Sequence, residues 1–147
     1  IPALFLSENF PQTRKLRIPP AFPTPSPVNS KIFAEIHVIV GENALKIAEL
    51  PGALRTQAQI RAVLADITND IPNDLHVNLP FYSGCGRHIC INRGVFINSS
   101  AMFTNLGGIT LEENVLITPR VSVLTVNHPE NPAQRRGLAF IIKKTRE

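Results

Sequence analysis

The chain has no tryptophan, one tyrosine and one methionine, and aromatic residues make up only 6% of its 147 positions. No motif interleaves those few rings with basic side chains, which argues against a nucleic-acid surface. A net charge of +4 would still admit a polyanionic partner such as a phosphate-bearing cofactor. No apolar run is long enough to span a bilayer, so no membrane partner is expected. A glycine-rich phosphate loop, a serine-triad motif and a paired-carboxylate motif are also missing. There are only two cysteines, Cys85 and Cys90, with His88 between them. Two thiols and one imidazole lack the fourth ligand and the paired spacing of a zinc site, so no metal is expected. The thiols read instead as small apolar side chains in a reducing, cytoplasmic compartment. The opening Ile1-Pro-Ala-Leu-Phe-Leu offers neither an initiator methionine nor a basic leader, and the chain is expected to be processed or incomplete.

What is present is enough apolar material, 44% of the residues, for one domain with a buried core. Seven of the thirteen prolines fall in the first thirty residues, where they remove backbone donors and helical angles and predict an extended packing arm. Ile32 to Val40 is a nearly unbroken apolar run halted by Gly41, which predicts a buried strand; Asn43 to Leu50 predicts a short helix ended by Pro51-Gly52. Thr56-Gln-Ala-Gln59 has the form of a capping box, and Ile60, Val63, Leu64 and Ile67 follow at helical spacing. A helix from about Gln57 to Thr68 is predicted, followed by alternating Leu75, Val77 and Leu79. Two regions result: residues 1–54, an arm with a strand and a short helix, and residues 55–147, a helix plus a partial repeat domain.

The informative stretch is Ile89 to His128. Branched aliphatics recur six apart, at Ile89 and Val95 and again at Ile109, Val115 and Val121. Neither a helix nor a flat strand repeats at six; a parallel β-helix does, with three short faces closing one coil and each leading aliphatic pointing inward. From Val95 to Ile109 the step is fourteen, two more than a double repeat, so an insertion is expected to bulge at Thr104 to Gly108. After Val121 the pattern breaks into Thr125-Val-Asn-His128-Pro129 and a polar loop running to Arg136-Gly137. Loops leaving a rigid coil are where sites are commonly built.

In order, Leu79-Pro80-Phe81-Tyr82, Gly86-Arg-His-Ile89-Cys-Ile91, Val95-Phe-Ile-Asn98, Ile109-Thr-Leu, Val115-Leu-Ile-Thr-Pro119 and Thr125-Val-Asn-His128-Pro129 with Arg135-Arg136-Gly137 resemble the hexapeptide-repeat sugar O-acetyltransferases typified by maltose and galactoside acetyltransferases. The resemblance covers roughly residues 55–142. It implies a mainly β chain folded as a left-handed parallel β-helix, a homotrimer with sites between subunits, acetyl-CoA as donor and a sugar or polyol hydroxyl as acceptor. It places His128 at the catalytic base and Asn98, Asn105, Tyr82 and Phe96 at acceptor contacts. The family usually has an aspartate where Asn105 stands, and Ser83-Gly84-Cys85-Gly86 also departs from its pattern, both of which bear on which acceptor is used. Family members continue with further coils, including a tryptophan-bearing repeat, that help hold the CoA arm. The alternative is therefore a non-catalytic trimeric β-helix module that has lost the donor site. Without the resemblance, His128 would be a loop histidine, Asn98 and Asn105 turn formers, and the terminal Arg135, Arg136, Lys143, Lys144 and Arg146 a solvated tail.

Overall fold

The computed structural model describes residues 31–50, 54–68, 70–136 and 141–142. The proline-rich arm, the stop at Pro51-Gly52 and the terminal lysines lie outside the described residues. The strand expected at Ile32 to Val40 is instead part of one long helix, α1 (Lys31–Ala48), which also absorbs the short helix expected from Asn43. The buried positions explain the correction: Ile36, Asn43, Ile47 and, just beyond the helix, Leu50 recur seven, four and three residues apart, a helical stripe. Gly41 does not end the helix, because it lies on the exposed side where its missing side chain touches nothing.

The second helix, α2 (Gln57–Ile67), forms where predicted, and Thr56 and Gln59 close the capping box reciprocally. Ile60, Leu64 and Ile67 bury its inner stripe. Together α1 and α2 cover the start of a stack of coils.

Those coils hold three parallel sheets. The first face carries β1 (His76–Val77), β4 (Phe96–Ile97) and β7 (Leu116–Ile117); the second carries β2 (Phe81–Ser83), β5 (Ala101–Thr104) and β8 (Ser122–Leu124); the third carries β3 (Ile89–Ile91) and β6 (Ile109–Leu111). Register pairs residues twenty apart throughout: His76 with Phe96 and Phe96 with Leu116, Tyr82 with Met102 and Met102 with Ser122, Ile89 with Ile109. The leading aliphatics point into the stack as expected, with Ile89, Val95, Ile109 and Val115 all buried. Phe81 and Phe103 meet inside it with ring centroids 5.6 Å apart.

The two extra residues expected as a bulge at Thr104 to Gly108 occur in both coils. Residues 84–88 make the same widened corner one coil earlier, since Phe81 to Ile89 and Ala101 to Ile109 are both steps of eight. The excess is thus part of the repeat, and Asn105 and Gly108 are buried within the corner. Sharp corners need left-handed backbone, and it recurs in register at Ser100 and Arg120 and at Gly94 and Asn114. At Gly86, with φ +66°, a Cβ would lie 2.2 Å from Ile67 Cγ2, so only glycine lets α2 close on this corner.

The helices also finish the edge of the first coil. The Gln57 side chain donates from Nε2 to the Val77 carbonyl at 3.0 Å and accepts from the Val77 N–H at 3.0 Å, as a neighbouring strand would. Gln57→Ala is expected to cost about 1–3 kcal/mol, because both backbone groups lose their partner in a half-buried place. Urea denaturation of the variant measures it, and a midpoint unchanged from the parent would show that water replaces the amide without penalty.

Candidate active site

The third coil keeps register as far as Thr125 and then departs. The Thr125 N–H donates to the Thr104 carbonyl at 2.9 Å, continuing the ladder. Its Oγ1 donates to the same carbonyl at 2.9 Å and accepts from the Gly107 N–H at 2.9 Å. This buried threonine fastens the end of the second face to the corner below it. Beyond it, β9 (Val126–Asn127) pairs antiparallel with β10 (Ile141–Ile142), so the chain has turned away from the coil.

His128 stands at that departure and is exposed, while Pro129 after it is buried. The Asn127 side chain accepts from the His128 N–H at 2.9 Å, holding the turn. Asn131 caps the short helix α3 (Pro132–Arg135), and Arg135 and Arg136 are exposed. An accessible imidazole on a loop anchored to a rigid stack can reach a ligand's hydroxyl and exchange a proton with it.

The other predicted site residues divide between two corners. Phe96 lies on the first face, its ring stacked on His76 with centroids 5.2 Å apart. Asn98 follows in the corner leading to the second face, where its Oδ1 accepts from Asn78 Nδ2 at 3.2 Å and from the Ser99 N–H at 2.8 Å. Tyr82 faces outward on the second face, 49% exposed, one coil earlier. These three border one corner; Asn105 and His128 belong to the corner at the opposite end of that face.

Asn105 is only 1% exposed, so its side chain is turned into the protein. Its Oδ1 accepts from the Gly86 N–H at 3.4 Å and from Ser83 Oγ at 3.5 Å, tying one widened corner to the next. Its Nδ2 is buried and meets no acceptor among the described residues. Sequence reasoning missed both Thr125 as a clasp and this internal role for Asn105. The signal available was their spacing of twenty, which brings each onto the corner of the adjacent coil.

His88 lies two coils below His128 in the numbering of the repeat. Its Nδ1 donates to the Leu106 carbonyl at 2.8 Å, which fixes the proton on that nitrogen in the neutral ring. Burial, opposed by that hydrogen bond and helped by the Arg87 charge, holds its pKa below the ordinary 6.5. Cys85 and Cys90 are free thiols. Burial pushes the Cys85 thiol up to about 11, although Arg87 and the Arg87 backbone hydrogen bond pull the other way. The folded thiol therefore holds its proton more tightly than the unfolded one at 9.0. Stability from this group is complete below pH 9 and is lost as pH rises toward 11. Urea midpoints across that window should fall more steeply for the parent than for Cys85→Ala; parallel curves would contradict the burial effect.

Among the described residues no cluster of histidine, cysteine and carboxylate side chains is placed to hold a metal ion. Nor is any helix among them long and apolar enough to cross a membrane.

No family model matches the chain. Nodulation protein L of Rhizobium leguminosarum biovar viciae is 32% identical over 58 residues, which cover 40% of this chain and 30% of that protein. Among solved structures, a hexapeptide-repeat-containing acetyltransferase from Vibrio cholerae superposes with a TM-score of 0.67 at 24% identity, over 74% of this chain and 61% of the other. A structure of such an enzyme from Vibrio cholerae O1 biovar eltor, complexed with acetyl coenzyme A, gives 0.64 at 23% identity, over 78% and 61%. The chain thus has the fold of hexapeptide-repeat acetyltransferases and spans about three fifths of the length of these structures.

Proposed function

We propose that this chain is an acetyl-CoA-dependent O-acetyltransferase that acts on a sugar or polyol hydroxyl, with His128 as general base. The observation that carries the reading is the departure of the third coil at Thr125, which leaves an accessible histidine on an anchored turn. In the proposed step His128 takes the proton of the acceptor hydroxyl as its oxygen attacks the thioester carbonyl. The new C–O bond forms as the C–S bond breaks, and the coenzyme leaves as thiolate and collects a proton. Backbone N–H groups would steady the oxyanion.

The Asn98 Oδ1 is already engaged, which leaves its Nδ2 to donate to the acceptor; Tyr82 and Phe96 would flank the ring of the sugar. The second face separates these three from His128, and its four-residue strand is roughly 13 Å long at the usual rise. In this reading the coils wind left-handed, and a site using both corners is assembled between copies in a homotrimer. The unit that carries it is residues 55–147 with α1 docked on its first coil, working in a reducing cytoplasm that suits two free thiols. Asn105 enters as a corner residue behind the acceptor site.

Release of free CoA from acetyl-CoA, followed by thiol titration with and without a panel of sugars, tests the reading. Sugar-dependent release supports it. No release with any sugar, from a folded trimer, would leave the non-catalytic module standing.

A further inference from the structure

The start of the stack has three strand edges, and they are not treated alike. In a parallel ladder alternate residues turn their N–H and C=O groups to opposite sides. On the first face His76 and Asn78 donate to the Val95 and Ile97 carbonyls, so Val77 faces outward, where Gln57 seals it. In the corner that follows β2, Asn43 Nδ2, from α1, donates to the Gly84 and Cys85 carbonyls at 3.3 and 2.9 Å. On the third face the Asn92 N–H bonds the Leu111 carbonyl and the Ile109 N–H bonds the His88 carbonyl. Residues 88, 90 and 92 therefore face β6, and the Ile91 N–H with the Ile89 and Ile91 carbonyls faces away from it. No side chain of the described residues bonds to those groups.

Beside this edge lies a cavity of about 800 Å³ bounded by the α2–β1 loop and by β3. Ile71 and Ile91 contribute apolar wall; Asp70 and Asp74 supply two exposed carboxylates, against the single guanidinium of Arg93. Asn92 is held from the side by Glu112, a third carboxylate, at 3.0 Å. An occupant suited to this place has a backbone that can pair with Ile91 and a cationic side chain to meet the carboxylates. Gln57 shows that a single amide group satisfies such an edge at Val77.

We propose that this cavity is a docking site for an extended peptide segment that adds to the β3 edge and sets a lysine or arginine against Asp70 and Asp74. The proposal is independent of acetyl transfer. Edge pairing supplies affinity through main-chain hydrogen bonds, and the acidic wall selects the charge. About four or five residues fit along the 89–93 segment at 3.3 Å each.

The test is fluorescence anisotropy of Val-Thr-Lys-Val-Thr-Val-amide carrying a fluorophore on its N-terminus, titrated with the full chain. Expected is saturable binding that weakens at least tenfold in three separate cases: lysine replaced by glutamate, the lysine and its two neighbours N-methylated on the backbone, and the protein changed to Asp70→Asn with Asp74→Asn. Both aspartates are exposed, so circular dichroism of the double variant should match the parent. N-methylation leaves the protein untouched and removes main-chain donors while keeping every side chain of the peptide. Equal binding of the N-methylated peptide, equal binding of the glutamate peptide, or no binding at millimolar protein would each overturn the proposal.

Discussion

If His128 is the general base proposed above, His128→Ala should lower the turnover of acetyl transfer about a hundredfold or more, because the acceptor hydroxyl would then lose the group that takes its proton. The side chain is exposed, so the variant should unfold at the same urea concentration as the parent. That control separates lost chemistry from lost structure. Asn98→Ala is expected to act differently, by raising KM for the acceptor more than it lowers kcat, since an amide that only contacts the substrate contributes uniform binding. A His128→Ala enzyme that keeps the parental turnover would end the assignment of the base, whatever became of Asn98.

Phe103→Ala should remove about 3–5 kcal/mol of stability. The ring is fully buried at the middle coil, packs against Phe81, and sits in register between Ser83 and Val123. Its neighbours belong to backbones pinned by ladder hydrogen bonds and cannot move in to fill the gap. Since whole domains are stable by only about 5–15 kcal/mol, such a loss brings the chain close to unfolding. Met102→Ala, one residue away but 40% exposed on the outer side, is the contrast and should cost well under half as much. Similar midpoints for the two variants would contradict the placing of Phe103 inside this face and Met102 outside it.

The repeat was legible because inward aliphatics at six-residue spacing reflect the three-sided coil directly. Its true length was less so. The step of fourteen between Val95 and Ile109 reads as one local insertion, yet Leu75 to Ile89 is also fourteen and shows the same widened corner one coil earlier. Only the Leu75 coil, entered from an unrelated helix and loop, hid the second instance. The helix α1 was hidden for a different reason: Ile32 to Val40, interrupted only by Glu35 and His37, is so densely apolar that it shows no clear period, and the stripe appears only when Asn43 and Ile47 are included. Capping at Thr56 was local chemistry and was read correctly. Among site residues, the position of His128 on an open turn followed from the broken repeat, whereas the inward turn of Asn105 did not. Its partners, Ser83 and the Gly86 N–H, come from a neighbouring coil and leave no mark in the adjacent sequence. The Gln57 amide on Val77 is illegible for the same reason, being a contact twenty positions away.

The constant register also limits how such a chain can change length. Losing one residue from a face would set every later side chain on the wrong side of the wall, and losing two would misalign every rung that follows. Removing or duplicating twenty, by contrast, returns each residue to an equivalent partner. Natural variation in overall size should therefore come in whole turns, with odd remainders confined to excursions such as the one that carries His128.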